Sequence, residues 1–139
     1  MDQSMIIFFA VIVIFGALLL AIISLSRKGK RYLNQEYYRT EWLKVENNLT
    51  RDNVSSHQIS VLNADKLVDH ALKRRGFGGQ TMGDRLKLAK KTLTNTNSVW
   101  AAHKLRNKIA HETNFSISYD EARHSLNGFK QALKDLGAI

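Results

Sequence analysis

The sequence predicts an all-α protein, with one N-terminal transmembrane helix followed by a small antiparallel helical bundle. Three observations carry this. Residues 5–25 run twenty-one positions without a charge, and the 139-residue chain contains no proline, a residue that helix interiors tolerate badly. The apolar positions that follow recur at helical spacing, with no alternating run that would make a strand. The length allows one small domain beyond the anchor.

Residues 1–4 read as a short exterior N-terminus and residues 5–25 as the transmembrane helix. At about 1.5 Å of rise per residue such a helix spans about 30 Å, the thickness of a bilayer's hydrocarbon core. A cleavable signal peptide fits less well. "MDQS" carries Asp2 and no lysine or arginine, and no small-residue cleavage pattern follows the apolar run. Arg27, Lys28, Lys30 and Arg31 crowd the C-terminal flank and nothing positive lies on the other. Positive flanks are retained in the cytoplasm. The expected placement is therefore single-pass in the cell membrane, N-terminus outside and C-terminal domain cytoplasmic. The same four charges attract anionic lipid heads.

Segment 26–53 reads as a basic juxtamembrane segment and an aromatic stalk helix. A helix over 34–49 puts Tyr38, Trp42, Val45 and Leu49 on one face, to pack on the domain behind it. Residues 54–139 read as the bundle. Its first helix covers 54–75, with Ile59, Leu62, Leu67, Val68, Ala71 and Leu72 as the apolar face and Gly76 as the stop. "GFGGQTMGD" has the glycines of a phosphate loop without its Lys-Ser/Thr, so it reads as a connection. Thr81 and Asp84 form a capping box for a helix from Met82 to about Leu93, with Leu86, Ala89 and Leu93 inward. Ser98 caps a helix from Val99 to Glu112, whose core side is Ala102, Leu105 and Ile109. Ser118 and Glu121 form a second capping box. The helix they open reaches Leu136, with Ala122, Leu126, Phe129, Ala132, Leu133 and Leu136 inward, and Gly137 closes it.

Every lysine and arginine lies after Ser26. Residues 26–139 carry 21 basic groups against 11 acidic ones (all 12 but Asp2), a net +10, of which +6 remains without the four flanking charges. A moderately basic domain is compatible with nucleic acid or membrane and diagnostic of neither. The absence of cysteine excludes disulfides, zinc–thiolate sites and cysteine nucleophiles. "AHE" lacks the second histidine of a zinc-protease helix, and no dense carboxylate cluster suggests magnesium, so neither metal nor cofactor is expected. Asn48 and Asn114 match the glycosylation pattern but fall on the side assigned to the cytoplasm.

The stretch "AAHKLRNKIAHE", residues 101–112, holds the candidate chemistry. On a helical wheel His103, Asn107 and His111 form a polar stripe, and Lys104 and Lys108 face solvent. Arg106 lies between the stripe and the apolar side. Arg106 and His111 border one polar arc without stacking on each other. The spacing alone is weak evidence, because Arg51 and His57 show much the same. The context of "RNKIAHE" adds more: asparagine directly after the arginine, an apolar residue two before the histidine, and the histidine in the last turn of an amphipathic helix.

That context resembles the motif of the HEPN family (higher eukaryotes and prokaryotes nucleotide-binding), whose members are small helical bundles. The segments "NADKLVDHALKRRG" and "TMGDRLKLAK" resemble the same group, and the likeness covers about residues 54–136. The resemblance implies metal-independent RNA cleavage, in which a 2′-hydroxyl attacks the adjacent phosphate and leaves a cyclic phosphate end. Arg106 would hold the phosphate, for which its planar fork of donors is suited. His111 would move the proton, Asn107 would orient the pair, and His103, Lys104 and Lys108 would contact RNA. Two chains of the family commonly meet at these helices, which implies a homodimer through the Arg106–His111 helix. The alternative is a non-catalytic binding or scaffold module tethered to the membrane.

Overall fold

Helix α1, Gln3–Ser26, is apolar on every side. Over Gln3–Ser24, 22 residues, its mean hydropathy is 3.3, and none of its large apolar side chains from Met5 to Ile23 is buried. A helix without a polar face suits lipid or a protein core, and α1 is long and apolar enough to cross a membrane. The computed structural model describes residues 2–26 and 31–139. Arg27, Lys28 and Lys30, expected as the membrane flank, lie outside the described residues. The chain divides into two compact units, Met1–Arg31 and Tyr32–Ile139. The described residues contain six helices and no strand.

The second unit is a bundle of five helices. Helix α2, Gln35–Asn48, starts where the Asn34 side chain accepts from the Tyr37 amide. It buries Tyr38, Trp42 and Val45, and Lys130 of the last helix reaches Glu46 at 2.6 Å. The aromatic helix expected as a stalk is thus packed into the bundle itself.

Helix α3, Val54–Arg74, is central and packs against all four others of the unit. Its buried stripe is Val61, Ala64, Leu67, Val68, Ala71 and Leu72, together with His57, Ser60 and Asp65. Ile59, expected inward, is 50% exposed, and Leu62 is half-buried. At about 100° per residue both point away from Val61, and small Ser60 and Ala64 occupy the core positions instead. Gly76, at φ 92°, ends the helix as expected.

Helix α4, Met82–Leu88, shows the expected capping box of Thr81 and Asp84. It stops at Leu88, short of the expected Leu93, yet Leu86, Ala89 and Leu93 are all buried. Helix α5, Thr96–His111, begins earlier than expected. Its cap is Asn95, whose side chain accepts from the Ser98 amide at 3.0 Å. Leu105 and Ile109, expected as core, are only half-buried. Helix α6, Tyr119–Asp135, has the expected Ser118–Glu121 capping box, and its six expected inward residues are buried.

Helices α5 and α6 approach closely at Gly128. A Cβ there would stand 2.7 Å from Ser98 Oγ and 3.0 Å from the Ser98 carbonyl oxygen. His57, which shares the Arg–His spacing by chance, is structural. Its ring nitrogens lie 3.1 Å from the Ile117 carbonyl oxygen and 2.9 Å from that of Thr50, tying α3 to the segments before α6 and after α2.

Candidate functional site

Asp65 and Asp69 stand one turn apart on the same face of α3. Opposite them, Val99, Ala102, His103 and Arg106 follow the i, i+3, i+4, i+7 spacing that turns one side of α5 inward. That stripe is centred between Ala102 and His103, so it carries a histidine and an arginine toward α3. His103, expected on a polar stripe, is therefore buried.

Asp65, itself buried, joins these groups. His103 Nδ1 donates to Asp65 Oδ1 at 2.7 Å, since an ionised carboxylate can only accept. The inferred tautomer leaves Nε2 as the acceptor, and Asn107 Nδ2 donates to it across 3.4 Å. That bond is long and weak. Arg106 Nε lies 3.3 Å from Asp65 Oδ2, but its N–H is not aligned on any acceptor. The contact is thus a charge pair rather than a hydrogen bond. One guanidinium nitrogen of Arg106 donates to Asn107 Oδ1 at 3.0 Å, and the side chain remains 35% exposed. Trp100 packs edge-on against His103, with ring centroids 6.0 Å apart.

A second acid cluster adjoins the first. Asp69 takes Arg85 Nε at 2.6 Å and Lys73 Nζ at 2.7 Å, and Arg85 also donates to the Gly79 carbonyl oxygen. Burial opposes ionisation of Asp69, but the bonds from Arg85 and Lys73 outweigh it and hold the carboxyl below the usual carboxylate range. Asp69 is fully engaged in docking α4 and the glycine turn onto α3. Arg85 is used up by this pairing, whereas Arg106 keeps donors to spare.

Both clusters line an open cleft of about 800 Å³ between α3, α4 and α5. The structure brings Arg106, Asn107 and His103 together there. Lys104 lines the rim and Lys108 is exposed beyond it. His111 is not in this cleft. It is exposed at the C-terminal end of α5, about 7.5 Å further along the axis than Arg106 and about 140° around it. One α5 does not bring Arg106 and His111 to a single phosphate. Among the described residues no group of three or more His, Asp and Glu is placed to hold a metal ion.

Asp65, Arg85 and Trp100 escaped the sequence reading. The signal for Asp65 and His103 was present, since both are titratable residues at core spacing, where an unpaired charge is costly. Compared with protein families, with curated proteins and with solved structures, the chain has no match.

Proposed function

We propose that the chain is a single-pass, membrane-anchored protein whose helical unit cleaves single-stranded RNA without metal, the reaction the HEPN resemblance implies, with His103 moving the proton in place of His111. The observation that supports this best is the Asp65–His103–Arg106 arrangement at the open cleft. Asp65 fixes the His103 tautomer, so Nε2 is ready to accept a proton. Arg106 is held beside it with exposed donors for phosphate oxygens. In the reaction His103 Nε2 takes the 2′-hydroxyl proton and exchanges its weak bond from Asn107 for one to substrate. The 2′-oxygen bonds to phosphorus and the bond to the 5′-oxygen breaks. The leaving oxygen takes a proton from solvent at the cleft mouth and His103 returns its own to solvent, giving a 2′,3′-cyclic phosphate and a 5′-hydroxyl. The full chain in detergent should cut single-stranded RNA equally well in EDTA and leave cyclic phosphate ends. An inert, well-folded preparation would reject the proposal.

A second reading, the non-catalytic module, is favoured by one observation. Asp65, His103, Arg106 and Asn107 also bond or pair with one another, as the members of a structural cluster do. His111 joins the site only if a second chain brings it to Arg106.

The proposed placement puts the helical unit in the cytoplasm, because all basic residues follow the apolar helix. A reporter fused after Ile139 should be active only as a cytoplasmic reporter. Efficient glycosylation of Asn48 or Asn114 in a eukaryotic host would reverse the orientation.

A further inference from the structure

The α3–α5 cleft is not isolated. Asn63 and Lys66 line it on one side and, on the other, line a second cleft of about 350 Å³ between α2 and α3. Residues 63, 66 and 70 fall at helical spacing on one exposed ridge of α3. The ridge separates the two clefts, and it carries cationic Lys66, which has no acidic partner among the described residues. Asp69 is taken by Arg85 and Lys73, and Glu41 by Lys44 at 2.6 Å.

At the far side of the second cleft stands Tyr37, 44% exposed. Its ring is held from behind, edge-on against Tyr38 at 5.1 Å and tilted against His70 at 5.8 Å. Tyr38 is almost wholly buried, and its hydroxyl pairs with His70 Nδ1 at 2.9 Å. The exposed aromatic surface is therefore presented by a fixed support. The side-chain amides of Asn48 and Asn63 line the same cleft and have no hydrogen-bond partner among the described residues. They offer donors and acceptors of the kind that read a base edge.

From Asn63 to His70 the ridge runs about 10 Å along α3, and a strand that crosses it at Lys66 passes from one cleft to the other. The geometry points to a base-stacking subsite: an unpaired base of single-stranded RNA lies on Tyr37 in the α2–α3 cleft, while Lys66 neutralises the phosphate that crosses the ridge toward Arg106. This rests on the proposed reading of the α3–α5 cleft as a phosphodiester site. It adds a second cleft as the element that grips a base, so that a bare sugar–phosphate chain is a poorer ligand.

The test uses the full chain in nanodiscs of zwitterionic lipid. The probe is a fluorescein-labelled single-stranded RNA, 2′-O-methylated so that it cannot be cut, with and without bases flanking the central phosphate. Affinity is read by anisotropy. Tyr37→Ala should weaken binding of the base-bearing probe by about 5- to 100-fold and leave the abasic probe unaffected. Tyr37→Trp should retain the affinity. Lys66→Ala should weaken both probes and lower the salt dependence by about one unit of slope. If Arg106→Ala abolishes binding while Tyr37→Ala binds the base-bearing probe as wild type does, the stacking subsite is wrong and the phosphodiester site stands. If wild type binds neither probe, both fall.

Discussion

If the proposed RNA cleavage holds, replacing His103 by alanine should lower it by about 10²–10⁴-fold, the usual contribution of a positioned acid–base group, whereas replacing His111 should leave the rate at the wild-type level. The expectation follows from placement. His103 Nδ1 is anchored on Asp65, which leaves Nε2 as the ring's accepting atom beside Arg106. His111 is exposed at the end of α5, turned away from that cleft. His103→Gln separates chemistry from folding, because its amide can still donate to Asp65 but does not titrate near neutrality. It should restore the melting temperature and not the activity. The opposite pattern, with His111→Ala dead and His103→Ala active, would move the proton transfer to His111. It would also require a second chain to bring that residue to Arg106.

Asp65→Ala gives the largest expected loss of stability, about 2–4 kcal/mol. The carboxylate is buried and holds two groups at once, His103 at 2.7 Å and Arg106 at 3.3 Å. Its removal strands the buried His103 donor and leaves a partly buried guanidinium without counter-charge. For a unit of this size the melting temperature should fall by on the order of 10 °C. Asp65→Asn should lose less, since the amide oxygen still accepts from His103. Glu41→Ala, which removes an exposed pair with Lys44, should change nothing measurable. An unchanged melting temperature in Asp65→Ala would mean that His103 and Arg106 are solvated in solution, and the acid–base assignment would go with it.

The fold was legible wherever local chemistry and periodicity agreed. Both capping boxes, Thr81 with Asp84 and Ser118 with Glu121, appear with both of their bonds. The strongly amphipathic α6 buries the residues its spacing names. Helices α3 and α5 were harder, because their inward stripes mix apolar with small and polar residues. Ile59 and Leu105 look like core by type, but Ser60, Ala64 and His103 occupy core positions by angle. The site was half legible for the same reason. Arg106 and Asn107 stood out through their neighbours in "RNKIAH". Asp65 lies 38 positions before His103, and only packing α3 on α5 reveals the pairing. His111 stood out through the same context, and the helical wheel already separated it from Arg106 on a single α5.

The close approach at Gly128 decides which wall of the cleft can give. Rolling α5 to carry Arg106 off Asp65 would drive Ser98 into the backbone of α6, where there is no room even for a methyl group. Helix α4 meets α5 less tightly, since a Cβ on Gly83 would stand 3.4 Å from the Trp100 ring. It is short, follows a glycine turn with positive φ at Gly76 and Gly79, and is fastened to α3 through Arg85 and Asp69. The cleft works as a vice with one stationary jaw. The jaw bearing His103 and Arg106 keeps its aim.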